Sequence, residues 1–242
     1  MGVAFPSETG LSRTTDLVDY NSAYTIMCWF KTDTTTTGGG SITLARRTTN
    51  TKADALFFGA TSNTILLNSF DPDLSINVST SAYSIGNLAH VCMRRTAINN
   101  IDLIINGELQ ESLTNDFTGR ATPTNEQNIG FYRLGGRFSM GANNSISHYY
   151  AYQVALSLPE ILDQMYFAYP RRTANLREWL PMDSGSARNV DFSGNGRNYT
   201  ELNTVTNADN GLLLVRPSLM IPRRVVAPPP VYYASPLMLT AC

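Results

Sequence analysis

With 18 Lys and Arg against 19 Asp and Glu in 242 residues, a formal net charge of −1 and a pI near 6.1, the chain carries no electrostatic footprint for nucleic acid or an anionic membrane surface. Charged residues make up only 15% of it, against roughly 25% in an average soluble domain, so part of the surface is expected to be covered by protein. The length accommodates one large β domain with a substantial core, and a second domain is not required.

The opening run Met1-Gly2-Val3-Ala4-Phe5-Pro6 meets Glu8 at once, without the charged-then-apolar order of an export leader. No apolar stretch approaches the roughly 18 residues of a membrane span, so the expectation is a protein made and kept in the cytoplasm. Tyr24 to Lys31 alternates Tyr, Ile, Cys and Phe with Thr, Met, Trp and Lys, which predicts a strand packed on both faces. Thr34 to Gly40 reads as a loop, and Gly38-Gly39-Gly40 lacks the following Lys-Ser/Thr of a phosphate cradle. Short β-rich stretches recur near Ser41 to Ala45, Ala55 to Gly59, Thr64 to Ser69 and Leu74 to Val78, punctuated by Asn, Asp, Gly and Pro, as in a meandering sandwich. Leu88 to Arg95 is a further strand. Ile101, Leu103 and Ile105 then alternate up to Asn106-Gly107, the dipeptide of a type I′ hairpin turn, and Glu108 begins the return strand. Ile129 to Leu134 resumes the sheet before Gly135-Gly136.

From Ile146 to Leu156 the even positions read Ile, His, Tyr, Tyr, Val and Leu, the period of a half-buried strand. Leu158, Ile161, Leu162, Met165, Tyr166 and Tyr169 then recur at helical spacing. Ser157 and Glu160 form a capping box, and Pro170 stops the helix. Glu178 to Met182 is a short apolar segment, followed by a dense turn cluster at Asp191-Phe192-Ser193-Gly194-Asn195-Gly196. Residues 217–242 hold six prolines, a density that excludes helix and central strand and predicts an extended C-terminal arm. Such an arm cannot bury its own apolar side chains and needs a surface to lie on.

Cys28, Cys92 and Cys242 do not make a disulfide framework, since the count is odd and two of the three fall inside predicted strands; reduced thiols are expected. All basic residues except Lys31 and Lys52 are Arg, partly as pairs at Arg46-Arg47, Arg94-Arg95, Arg171-Arg172 and Arg223-Arg224. Weakly hydrated, bidentate guanidinium groups suit protein interfaces, although genomic nucleotide bias produces the same pattern.

In order along the chain, Tyr24-Thr25-Ile26-Met27-Cys28-Trp29-Phe30, Leu88-Ala89-His90-Val91, Ile105-Asn106-Gly107, Ile129-Gly130 and Ala155-Leu156-Ser157 with Glu160-Ile161 resemble the concanavalin A-like lectin/glucanase superfamily. In particular they resemble laminin-G-like jelly-roll modules of the kind found in phage structural proteins. Trp179-Leu180-Pro181-Met182-Asp183 with Ser193-Gly194-Asn195-Gly196 looks like a further signature of that family, here placed after the sandwich instead of before it. The resemblance implies an all-β, concanavalin A-like jelly-roll β-sandwich over residues 1–200, with one short α-helix, and leaves 201–242 as the extended Pro-rich arm.

Some relatives of this fold hydrolyse glucans with a Glu-x-Asp-x-x-Glu strand, because retaining hydrolysis needs two carboxylates facing one groove at about 5 Å. No Glu here stands in that pattern, and Glu108 with Glu111 reads as a solvated strand edge. His90 and His148 lie within alternating strands and are expected as hydrogen-bonded core or interface histidines, without the spacing of a triad or zinc site. Asp71-Pro72-Asp73 and Asp183 with Asp191 offer oxygens for calcium, but turn formation explains both clusters without metal, and no cofactor is expected. Tyr149, Tyr150, Tyr152 and Trp179 have the chemistry to stack on a sugar, yet their strand period assigns them to a core.

Sparse charge, the Arg bias, the proline-rich arm and the phage-like order of motifs together lead to a non-enzymatic virion protein, a phage capsid decoration or cement protein. Its expected partners are other copies of itself and the major capsid protein, with no nucleic acid and no membrane. The interface falls on Arg223, Arg224, Pro228, Pro229, Pro230, Tyr232, Tyr233 and Cys242. The alternative is a lectin-like carbohydrate-binding module of a tail fibre or spike, with a glycan as its ligand.

Overall fold

A computed structural model describes residues 2–5, 9–15, 18–19, 22–32, 40–46, 53–59, 64–71, 74–80, 87–114, 126–133, 137–139, 141–182 and 188–208. In chain order the strands are β1 (Gly2–Phe5), β2 (Gly10–Arg13), β3 (Tyr24–Thr32), β4 (Gly40–Arg46), β5 (Ala53–Gly59), β6 (Thr64–Asp71) and β7 (Leu74–Thr80). They continue as β8 (Leu88–Ala97), β9 (Asn100–Ile105), β10 (Glu108–Thr114), β11 (Glu126–Ile129), β12 (Phe131–Arg133), β13 (Arg137–Ser139) and β14 (Gly141–Tyr152). The helix α1 (Leu158–Met165) follows, and then β15 (Leu176–Leu180), β16 (Thr200–Leu202) and β17 (Thr206–Ala208). Among the described residues no helix is long and apolar enough to cross a membrane.

One antiparallel sheet runs β10-β9-β8-β3-β14-β1-β17 with β15 also on β14, and the other runs β16-β2-β11-β4-β5-β6-β7. Strand pairing thus continues past residue 200 to Ala208. Alternation dictates the layering. Tyr24, Ile26, Cys28 and Phe30 of β3 and Ala89, Val91 and Met93 of β8 point between the sheets, where they meet Leu11, Ile42, Leu56, Ile65, Leu67 and Ile129 from the facing sheet. The intervening Met27, Cys92 and Ile104 point the other way and pack with Tyr150, Tyr152, Leu156 and Ile161 under α1. The larger sheet is therefore buried on both faces, as the doubly apolar β3 predicts. Cys28 and Cys92 lie on opposite faces as buried free thiols, and Cys242 lies outside the described residues. Between the layers, Arg95 of β8 reaches Asp54 of β5 at 3.1 Å with both side chains buried, tying one sheet to the other.

The hairpin turn behaves as the sequence predicts. Asn106 (φ 52°) and Gly107 (φ 82°) both adopt the left-handed conformation a type I′ hairpin requires, joining β9 to β10. A Cβ at Gly107 would come within 2.4 Å of Leu162 Cδ1, so the turn also seats the helix. Three other elements differ. The strand read as Ile129 to Leu134 is broken at Gly130, whose φ of 78° ends β11 before β12 begins. The strand read as half-buried from Ile146 to Leu156 ends at Tyr152, and every side chain from Asn144 to Tyr152 is buried. Its single alternation fails because β14 carries a bulge against β3 between Ser147 and Tyr150, with His148 at φ 50°. The bulge shifts the phase: Ile146, Tyr149 and Ala151 enter the inter-sheet core, while Tyr150 and Tyr152 pass to the outer cluster. The helix, finally, ends at Met165 rather than at Pro170. Tyr166 and Phe167 donate their N–H groups to Asp163 and Gln164 in a tighter turn, and the chain folds back over the sheet.

Candidate functional site

A cleft of about 500 Å³ opens beside α1. Tyr152 and Leu156 form its floor, Glu160, Asp163 and Gln164 of the helix form one wall, and residues 171–174 form the other. Local sequence chemistry builds each wall. Ser157 caps the helix, its Oγ accepting from the Glu160 N–H at 3.4 Å, while Glu160 Oε2 accepts from the Ser157 N–H at 2.8 Å. The other carboxylate oxygen, Oε1, takes Arg172 Nη1 at 2.6 Å. These bonds, the Ser157 amide foremost, hold the Glu160 carboxyl below its ordinary range, so it stays ionised.

Gln164 positions the opposite wall. Its side chain is buried; Nε2 donates to the Tyr169 carbonyl at 2.9 Å and to Phe167 O at 3.3 Å, and Oε1 accepts from the Arg171 N–H at 2.8 Å and from Tyr152 Oη at 3.3 Å. Tyr150 Oη adds a bond to Phe167 O at 3.0 Å. Arg171 Nε then reaches Asp163 Oδ2 at 3.1 Å with its guanidinium 4.2 Å from the Phe167 ring centroid, and Arg172 Nε donates to Ala174 O at 3.1 Å. The result is a partly open cavity in which Glu160, Gln164, Arg171 and Arg172 are each held by more than one contact and Asp163 pairs with Arg171. Such an array can form several directed hydrogen bonds to a small polar ligand.

A second polar cluster uses the same residue types in the opposite setting. Glu178 of β15 is wholly buried between the sheets, where its Oε2 accepts from Tyr199 Oη at 2.8 Å and Gln127 Nε2 at 3.1 Å. Gln127 also donates to Tyr149 Oη at 2.8 Å, and Arg13 Nη1 stands 3.5 Å from Glu178 Oε1. Burial pushes the Glu178 carboxyl up to about 7; Asp191 adds to this, and Tyr199, Arg13 and Arg197 act against it. No solvent reaches this carboxylate, so it links the sheets and meets no ligand.

The residues singled out in the sequence are dispersed. Tyr149, Tyr150 and Tyr152 are buried, and Trp179 is half-buried with its ring in edge contact with Phe192, which is 48% exposed. Glu108 and Glu111 are exposed on β10, at the sheet edge. His90 is buried, but its two ring nitrogens have no hydrogen-bond partner; the ring packs edge-on to Trp29 at 5.4 Å, and burial pushes its pKa down to about 3. The expectation of a hydrogen-bonded histidine fails there because the position is an apolar slot on the helix side of β8. Asp191 Oδ1 accepts from the Trp179 and Ser193 amides and Oδ2 from the Arg197 amide and Ser193 Oγ, the turn role the sequence indicates. Asp183, Pro72 and Asp73 lie outside the described residues, as do Arg223, Arg224, Pro228, Pro229, Pro230, Tyr232, Tyr233 and Cys242. Among the described residues no three His, Cys, Asp or Glu side chains converge as a metal site.

The cleft residues Glu160, Arg171 and Arg172 were visible in the sequence only separately, as half of a capping box and as an Arg pair. Nothing in the sequence signalled that Arg172 folds back to the helix start.

The profile of the concanavalin A-like lectin/glucanases superfamily, in its laminin-G form, matches residues 6–162. A search of curated proteins found no match. Among solved structures, a Bacteroides ovatus protein titled as a candidate carbohydrate binder is similar at 14% identity and a TM-score of 0.61, over 86% of this chain and 60% of that one. A heptameric SAP-like pentraxin from Limulus polyphemus aligns at 13% identity and a TM-score of 0.57, over 84% of this chain and 92% of its own. The CBM40 of a Ruminococcus gnavus sialidase, bound to α2,3-sialyllactose, aligns at 15% identity and a TM-score of 0.55, over 67% and 95%.

Proposed function

This chain belongs to the concanavalin A-like lectin/glucanases superfamily, and from that membership we propose that it is a non-catalytic, lectin-like module that binds carbohydrate in the cleft beside α1. The observation that carries the reading is the cleft itself: about 500 Å³, open to solvent, and walled by polar groups held in place by Ser157, Gln164 and Phe167. Sugar rings present closely spaced hydroxyls, each both donor and acceptor, and planar carboxylate and guanidinium groups satisfy them in pairs. The similar folds that are titled as carbohydrate binders, from Bacteroides ovatus and Ruminococcus gnavus, support the ligand class. Against catalysis stands the chemistry of the cleft carboxylate. A glycosidase needs one acid kept protonated, whereas Glu160 is held ionised and doubly bonded. Glu178, whose carboxyl is raised, is buried and faces no groove.

A glycan array probed with the native protein and with Arg172→Ala tests the reading. Signals that the substitution removes support it; silence from the native protein refutes it.

A capsid decoration role is the second proposal, supported by the 15% charged composition and by the six prolines of residues 217–242. It predicts that deleting those residues abolishes particle binding or changes the oligomeric state. Unchanged behaviour on both counts would eliminate it.

A further inference from the structure

Resting on the carbohydrate reading, we infer that the α1 cleft selects neutral sugars and rejects those carrying a carboxylate, sulfate or amine. The basis is the pairing of its charges. Glu160, Asp163, Arg171 and Arg172 line the cavity, and their formal charges sum to zero. They are matched one to one: Arg172 Nη1 to Glu160 Oε1 at 2.6 Å, and Arg171 Nε to Asp163 Oδ2 at 3.1 Å. An anionic ligand seeking either guanidinium must displace the resident carboxylate or sit beside it, and like charges in contact oppose binding. Displacing Glu160 would also break its bonds to Ser157 and uncap the helix. A cationic ligand meets the converse obstacle, since each carboxylate already holds its guanidinium.

The hydrogen-bonding groups left over point the same way. Arg172 spends Nε on Ala174 O and Nη1 on Glu160 Oε1, and Arg171 spends Nε on Asp163 Oδ2, so further guanidinium N–H groups face the cleft as donors beside Asp163 Oδ1 as an acceptor. A hydroxyl satisfies both kinds of group, because it donates and accepts. A carboxylate only accepts, so it would face Asp163 Oδ1 with no proton to share, and an ammonium only donates. Arg171 is further confined by its stacking on Phe167 and cannot swing out to meet an incoming anion without losing that contact.

The test is an array carrying neutral glycans beside their sialylated, sulfated and amino-sugar counterparts, probed with the native chain, Arg172→Ala and Asp163→Asn. The expected result is binding to neutral glycans that Arg172→Ala abolishes, with charged counterparts on the order of tenfold weaker or worse. Asp163→Asn removes the opposing carboxylate and should raise the response to acidic glycans on the order of tenfold. Acidic glycans bound as well as neutral ones, and lost in Arg172→Ala, would overturn the selectivity while leaving the carbohydrate reading intact. An acidic response that Asp163→Asn leaves unchanged would overturn the charge argument alone. Silence toward every glycan, or signals indifferent to Arg172→Ala, would overturn both.

Discussion

Glutamate, arginine, glutamine and tyrosine meet both in a cluster sealed between the sheets and at the open cleft, and the two meetings have opposite chemistry. Inside, Glu178 with Arg13, Gln127, Tyr149 and Tyr199 is dry, and its carboxyl is pushed up to about 7. Outside, Glu160 with Arg172, Gln164 and Tyr152 borders solvent, and its carboxyl is held below the ordinary range. The residue types are the same; the number of good hydrogen bonds and the access of water differ. A long 3.5 Å contact to Arg13 does not offset the loss of hydration at Glu178, whereas 2.6 and 2.8 Å bonds over-satisfy Glu160. Burial thus makes the first cluster a structural tie and exposure makes the second a ligand surface.

The comparison breaks most visibly at Glu178. Replacing it with Ala removes the acceptor of Tyr199 Oη and Gln127 Nε2 and the carboxylate beside Arg13, and should cost about 3 to 5 kcal/mol in urea unfolding. A loss below about 1 kcal/mol would mean that the inner cluster ties nothing together. Next in size is the response to pH. Unfolded, the Glu178 carboxyl ionises near its ordinary 4.5; folded, it does so near 7, so between those values the folded state holds the extra proton. The contribution of Glu178 to stability should be fullest below pH 4.5 and be lost as pH rises through 7, by about 3 kcal/mol, and Glu178→Gln should remove that part of the slope. Glu160 has the opposite sign: its lowered carboxyl contributes stability that is present at neutral pH and disappears on acidification.

Smaller effects belong to the outer cluster. Ser157→Ala should cost about 1 kcal/mol through the lost cap, read as a shift in the thermal midpoint. Arg172→Ala should cost less than about 1 kcal/mol, as a half-exposed ion pair, yet abolish glycan binding. A large stability loss without a binding loss would reverse the roles assigned to the two clusters.

Much of the fold was legible because it rests on local rules. The Asn106-Gly107 turn, the Ser157 and Glu160 cap and the doubly apolar β3 each follow from a few neighbouring residues. The bulge at His148 was not legible, since a non-glycine residue at φ 50° leaves no compositional mark and reverses the facing of every later residue in β14. The helix end escaped for a related reason: Gln164 anchors the carbonyls of Phe167 and Tyr169, and no periodicity reports a side chain that bonds to backbone beyond its own helix. The cleft was legible only in fragments, because it joins Glu160 to Arg172 across twelve positions through the fold-back after α1. The aromatic residues of β14, the more obvious sugar-stacking set, are buried, Tyr149 between the sheets and Tyr150 and Tyr152 on the helix side.

Hydrogen exchange of the full chain with and without a glycan identified by the array tests the location most directly. Protection confined to α1 and the residues from Tyr166 to Ala174 is the result expected of a sugar seated between Glu160 and Arg172. Protection that falls instead on β10 or on the turn at Asp191 to Gly196, with α1 unchanged, would contradict it.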